Sequence, residues 1–237
     1  MTVVKERTPA YWVVVPAAGV GARMEINLPK QYLPLLDKTV IEHTLLQLLS
    51  LPGIAGVYIA LGPQDKYWPQ LPIASHPSIH PVMGAAERAG SVLNALLALS
   101  QVAHNDDWVL VHDAARPCIK KDDIAALIQQ VADHPVGGIL GVPVSDTLKN
   151  VRDNTIVTTI DRRHLWQAQT PQLFRLSLLR DCLQQALAEG KCITDEASAV
   201  EAFGYCPLMV KGSGSNIKIT YPEDLVIASL FLQQNKC

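Results

Sequence analysis

The segment from Pro16 to Lys30 reads PAAGVGARMEINLPK and directly follows a β-branched run, Val13 to Val15. Gly19 and Gly21 let the backbone approach a ligand with no Cβ in the way, and successive amides in such a turn form a concave donor site for phosphate oxygens. Arg23 and Lys30 would add full positive charges to it. A dinucleotide fingerprint wants a third glycine where Met24 stands, and a Walker loop wants Gly-Lys followed by Ser or Thr. Neither pattern is met, which leaves a different anion loop, or a tight strand-to-helix turn carrying two solvated cations.

A second chemical feature is VLVHDAARP, where Asp113 appears at the end of an apolar run and Arg116 follows. Ligands of open α/β sheets sit beyond the carboxyl ends of the strands, and an aspartate there can hold magnesium, which takes one or two protein carboxylates and fills its shell with phosphate oxygens and water. A cap or turn role is the plainer alternative for Asp113. His76 and His80 are four apart, but Pro77 breaks the helix that would align them on a zinc ion. No HExxH pattern occurs, and Ser91 and Ser213 sit in no nucleophile elbow, so nothing points to a side-chain nucleophile.

The elements that must carry these residues alternate. Strands are predicted at Val13–Val15, Ile54–Leu61, Trp108–His112 and Gly138–Val144, with helices at about Thr39–Ser50, at Glu87–Ser100 and around Ile124–Val131. Repeated β, α, β order implies an α/β fold, a mainly parallel sheet with helices on both faces. Thr147–Val151 and Thr155–Ile160 flank Arg152, Asp153 and Asn154, a hairpin signal that reads as an arm spanning about 144–164 and projecting from the sheet. Further on come a helix from Leu176 to Glu189 stopped by Gly190, a helix capped by Thr194 and ended near Gly204, and a strand around Leu208–Lys211. The last helix opens with Thr220-Tyr221-Pro222-Glu223, a capping box between Thr220 and Glu223. With no repeat, low-complexity tract or linker, residues 1–237 read as a single domain with an inserted arm.

Composition narrows the partners. Hydrophobic residues make up 49% and charged residues 18% of 237, which excludes disorder and collagen. Twenty lysines and arginines against 22 acids give a net charge of −2, so no global field attracts nucleic acid or anionic lipid. The five cysteines are scattered with no CxxC pair, which argues against a disulfide framework or thiolate zinc site and favours the reducing cytoplasm. Pro16, two glycines and Arg23 interrupt the early apolar run, so neither export nor membrane insertion is expected.

Taken together, PAAGVGARMEINLPKQY, VLVHDAARP, TIDRRHLWQAQTPQ and NIKITYPEDL make the chain resemble the 2-C-methyl-D-erythritol 4-phosphate cytidylyltransferases over nearly its whole length. The resemblance implies a Rossmann-like nucleotidyltransferase domain, a homodimer built through the arm, and magnesium-dependent coupling of CTP to methylerythritol phosphate with release of pyrophosphate. It implies that Arg23 and Lys30 contact the triphosphate and that Asp113 binds the metal. Lys218 and Arg162 would position the attacking phosphate, with Arg162 reaching the neighbouring subunit's site. Arg116, Thr147 and Thr170 would make further substrate contacts. Cytosine would be read by backbone around Ala17 and Ala18, by a Gly-Gly-Asp stretch and by a serine. Here that stretch is Gly84-Ala85-Ala86, with Ser91 retained; Ala85 limits backbone freedom and Ala86 removes an acceptor. The ribitol 5-phosphate cytidylyltransferases share similar loop motifs and are the alternative.

Overall fold

The computed structural model describes residues 7–19 and 28–234. Its organising element is a seven-stranded sheet in the order β11-β7-β10-β6-β1-β4-β5. The strands are β1 (Tyr11–Pro16), β4 (Ile54–Leu61), β5 (Ile79–Met83), β6 (Trp108–Val111), β7 (Gly137–Pro143), β10 (Trp166–Arg175) and β11 (Leu208–Lys211). Six of them run parallel; β10 alone is antiparallel, to both β6 and β7. The expectation of a mainly parallel sheet therefore holds, with one reversed strand inserted beside its centre.

Alternation along the central strands divides the core. Val13, Val15, Val57, Ile59 and Leu110 point to one face, where α1 (Val40–Leu49) brings Ile41, Leu45 and Leu48 and α3 (Lys121–Val131) brings Ile124 and Leu127. Val14, Val109, Val111 and Phe174 point to the other face, covered by α2 (Arg88–Leu99), α4 (Leu176–Ala188) and α5 (Glu196–Glu201). Burying a β-branched or leucine side chain on either face contributes roughly 1.5–3 kcal/mol. A third cluster seats α6 (Pro222–Gln234) through Ala228 and Leu232 against Val40, Leu33 and Leu35. Leu35 belongs to the small ladder of β2 (Pro34–Leu35) and β3 (Lys38–Thr39). Among the described residues no helix is long and apolar enough to cross a membrane.

The predicted hairpin forms as a separate two-stranded sheet of β8 (Leu148–Arg152) and β9 (Thr155–Ile160). Its two-residue turn places Asp153 and Asn154 at φ of 48° and 61°, the left-handed pair that a type I′ turn requires. Two capping assignments change. Asp195, not Thr194, caps α5, accepting the Ser198 amide at 2.9 Å. At α6 it is Asp224, not Glu223, that accepts the Thr220 and Tyr221 amides, at 2.7 and 2.8 Å. In both places the carboxylate one residue further along reaches the exposed amides better.

Candidate active site

The parallel strands end at one edge of the sheet, and the loops that follow β1, β5, β6 and β11 meet there. The chain steps from β1 to β4 and β5 on one side and then crosses through α2 to β6 on the other side of β1, so the crevice beyond β1 and β6 is the switch point where α/β sheets bind ligands. Two adjoining cavities occupy it. Ala17, Ala18, Gly19, Lys30, Ala85, Ala86 and Ser91 line the first. Arg116, Gln169, Thr170, Gln172 and Asp195 line the second. Arg88, Asp113 and Lys218 belong to both.

The loop after β1 is held from below. Gln31, buried in a short 3-10 turn with Lys30, donates its amide to the carbonyls of Ala17 at 2.8 Å and Gly19 at 3.0 Å. The Lys30 ammonium donates to the Ile219 carbonyl at 2.8 Å, which ties the first cavity to the segment carrying Lys218. Gly21 and Arg23 lie outside the described residues. Gly84 is packed behind the cavity: a Cβ there would stand 2.5 Å from Ala18 Cβ and 2.9 Å from the Leu61 carbonyl oxygen, so only glycine lets the two loops abut. Ala85 is not among the described non-glycine residues with positive φ, so alanine adopts ordinary backbone at this position and the anticipated loss of freedom does not arise.

Asp113 is the centre of charge. Its carboxylate meets Arg88 Nε at 3.2 Å, Arg116 Nε at 3.3 Å and Lys218 Nζ at 2.9 Å. Burial opposes its ionisation, yet Arg88, Lys218 and Arg116 together hold it well below the usual carboxylate range. Arg88 is shared with Glu196, which it grips at 2.6 and 3.1 Å. Burial pushes the Glu196 carboxyl up, against the pull of Arg88.

The second cavity rests on a chain of buried polar groups. His112 Nε2 lies 3.1 Å from the Arg116 carbonyl, which only accepts, so Nε2 carries the proton and Nδ1 accepts from the Thr170 hydroxyl at 3.1 Å. The Thr170 oxygen accepts in turn from the Asp113 amide at 3.0 Å. Burial lowers the His112 pKa to about 4, which keeps the ring neutral. Asn216 donates to the Thr170 carbonyl at 2.8 Å, and its own carbonyl takes Arg116 Nη1 at 2.7 Å. Thr170 sits where the β10 ladder to β7 is interrupted between Ala168 and Gln172, which frees its side chain for this network.

The structure thus gathers Ala17, Ala18, Gly19, Lys30, Ala85, Ser91, Asp113, Arg116, Thr170 and Lys218, with Gly84 just behind them. Arg162 and Thr147 are exposed at the root of the β8–β9 arm and line neither cavity. Residues absent from the sequence reading are Arg88, Glu196, Gln31, Gln169, Gln172 and Asp195. Arg88, Asp195 and Glu196, at helix starts, have no local signature, whereas Gln31 beside Lys30 and Gln169 and Gln172 beside Thr170 lie within the motifs already singled out.

A metal at this site would have one protein carboxylate to use. A carboxylate offers about four lone-pair positions, and Asp113 commits three contacts to cations. No group of three His, Cys, Asp or Glu residues suited to a metal occurs among the described residues. That donor set suits magnesium, which accepts a single carboxylate when phosphate and water complete its shell.

Comparison with known proteins agrees with this geometry. Residues 11–234 match the IspD family, 2-C-methyl-D-erythritol 4-phosphate cytidylyltransferase. A relative with that name from Vibrio vulnificus (strain YJ016) is 52% identical over 224 residues, 94% of each chain. The fold superimposes on a solved 4-diphosphocytidyl-2C-methyl-D-erythritol synthase with a TM-score of 0.83 at 38% identity, covering 96% of this chain and 100% of that one. The Francisella tularensis 2-C-methyl-D-erythritol 4-phosphate cytidylyltransferase gives the same TM-score and identity over 94% and 99% of the two chains. Twin cavities meeting at one buried aspartate, on a sheet and sequence shared end to end, place this chain in the 2-C-methyl-D-erythritol 4-phosphate cytidylyltransferase family.

Proposed function

We infer that this chain transfers a cytidylyl group from CTP to 2-C-methyl-D-erythritol 4-phosphate. The products are 4-diphosphocytidyl-2-C-methyl-D-erythritol and pyrophosphate, a step of isoprenoid precursor synthesis in the non-mevalonate pathway. The observation that carries the reading is the wall of Arg88, Asp113 and Lys218 common to both cavities, because group transfer between two substrates needs their reacting ends side by side.

A phosphate monoester has its second pKa near 6 and is mostly dianionic at pH 7, so it attacks with no side chain removing a proton. An oxygen of the sugar phosphate forms a bond to the α-phosphorus of CTP, and the bond from that phosphorus to the pyrophosphate oxygen breaks. The obstacle is repulsion between anions, and the chain answers it with cations. Lys30 faces the triphosphate, Arg116 holds the incoming phosphate and Lys218 stands between them, with Arg23 the further triphosphate cation that the family resemblance implies. Asp113, kept ionised, anchors Lys218 and both guanidiniums at their working positions. Magnesium bound at Asp113 would neutralise charge on the triphosphate and on the departing pyrophosphate.

The arm completes the site from a second copy in this reading. Arg162 and Thr147 stand outside the cavities of their own chain, and Val151, Ile156 and Val157 on the arm are exposed. A homodimer in which each arm covers its neighbour buries those side chains and delivers Arg162. The cytoplasm suits the free cysteines. Mixing Arg162→Ala and Lys30→Ala proteins should restore activity that neither has alone; no recovery after verified subunit exchange would count against arm exchange.

The decisive assay is pyrophosphate release from CTP with methylerythritol phosphate beside ribitol 5-phosphate, with and without magnesium. Turnover that needs both methylerythritol phosphate and magnesium is expected. Preference for ribitol phosphate would overturn the substrate assignment.

A further inference from the structure

Gly90 occupies the third position of α2, where alanine ordinarily makes the better helix. The reason for a glycine lies across the contact it makes. A Cβ at position 90 would stand 2.9 Å from Ala85 Cβ, well inside the roughly 3.5–4.0 Å optimum for two carbons. Ala85 Cβ is one bond from the backbone and cannot swing aside, so the connection from β5 to α2 would itself have to shift. That connection is also held at a second point. The Ser91 hydroxyl accepts from the Ala85 amide at 2.9 Å and lies 3.2 and 3.1 Å from the Ala85 and Glu87 carbonyls, to which it donates.

Ala85 and Ala86 line the first cavity, and neither side chain forms hydrogen bonds. Any ligand edge that meets them is read by main-chain N–H and C=O groups, whose position depends on how closely Ala85 seats on α2.

We propose that Gly90 is a positioning residue for nucleobase selection: its missing side chain lets Ala85 dock on α2 and so fixes the main-chain groups that distinguish cytosine. The inference rests on the first cavity being the CTP site. Ala85 and Gly90 act as a reciprocal pair, in which a methyl group fits at 85 only while 90 has none.

Steady-state kinetics with CTP and with UTP, at saturating methylerythritol phosphate, test the pair in wild type, Gly90→Ala, Ala85→Gly and the double variant. Gly90→Ala should raise KM for CTP about tenfold, the worth of one displaced hydrogen bond, with kcat within about twofold. Preference for CTP over UTP should fall in step, and Ala85→Gly combined with Gly90→Ala should recover both. A purely structural role would lower thermal stability without splitting KM from kcat. If Gly90→Ala does not fold, a folded and CTP-selective double variant still supports the pair, and failure of both variants overturns it. An unchanged KM in Gly90→Ala, or a double variant no better than Gly90→Ala, also overturns it. Wild-type protein inactive on CTP would sink the cavity assignment and this inference with it; active wild type with a flat cycle sinks the inference alone.

Discussion

Lys218→Met separates the electrostatic account from a structural one. The Lys218 ammonium lies 2.9 Å from Asp113, but its side chain is 39% exposed, so the pair contributes at most about 1 kcal/mol to folding. Methionine keeps most of the stem, and Asp113 retains Arg88 at 3.2 Å and Arg116 at 3.3 Å. For a chain of this length such a loss lowers the melting temperature by roughly 2–4 °C. In the proposed reaction the same nitrogen stands where two anions are brought together and where negative charge moves onto the departing pyrophosphate. Removing one preorganised electrostatic group of this kind costs about 2.7–4 kcal/mol in the transition state, roughly a hundredfold to a thousandfold in kcat. Coupled pyrophosphate release read beside differential scanning calorimetry gives both quantities on one preparation. A rate within about threefold of wild type would remove Lys218 from the reacting ends. A fall in melting temperature beyond about 10 °C would recast it as a structural residue.

Three further outcomes follow from the structure. Asp107 accepts hydrogen bonds from Arg7, Ala10, Trp12 and His104. Burial opposes its ionisation, but these donors hold it below the usual carboxylate range. A depressed folded pKa gives stability that is present above the unfolded value and lost as pH falls through the carboxylate range toward the folded one. Asp107→Asn should therefore flatten the acid limb of the stability curve seen in urea titrations, and an unaltered limb would contradict the ion pair. Glu196→Gln removes a charge from the buried pair with Arg88 and should cost about 2–3 kcal/mol, part of what a one-sided loss typically costs because the amide oxygen still accepts. Arg88→Met added to it should cost less than the sum of the two; strict additivity in denaturation would show that the pair does not act together. Burial pushes the Cys118 thiol up to about 12 and raises that of Cys182 as well. Mass mapping after mild alkylation should find Cys192 and Cys206 modified and these two protected, whereas modified Cys118 in folded protein would contradict its burial.

The parts of the fold legible in the sequence were the central strands, buried on both faces, and the helices with one apolar face. Val13–Val15, Gly56–Leu61 and Trp108–Val111 are buried on both sides and read as near-continuous apolar runs. β5 went unread because His80 and Pro81 interrupt an edge strand that is half exposed. β10 went unread because Gln167, Gln169, Pro171 and Gln172 break its pattern, and of these Gln169 and Gln172 line the second cavity. The direction of a strand leaves no mark in its composition, so the single antiparallel insertion could come only from the three-dimensional pairing. At the site, Lys30 and Asp113 were legible because each sits in a compact motif at a loop, while Lys218 came only from the family resemblance of NIKITYPEDL. Arg88 and Glu196 meet across 108 residues, a contact that no local spacing encodes.

The central claim is that Asp113 and Lys218 mark where two anions are brought together, and a crystal structure with CTP and magnesium tests it most directly. The account predicts cytosine against the Ala85–Ala86 backbone, the triphosphate beside Lys30, and the α-phosphorus facing Lys218 and the second cavity. A nucleotide bound with its phosphates turned away from Asp113 and Lys218 would contradict it.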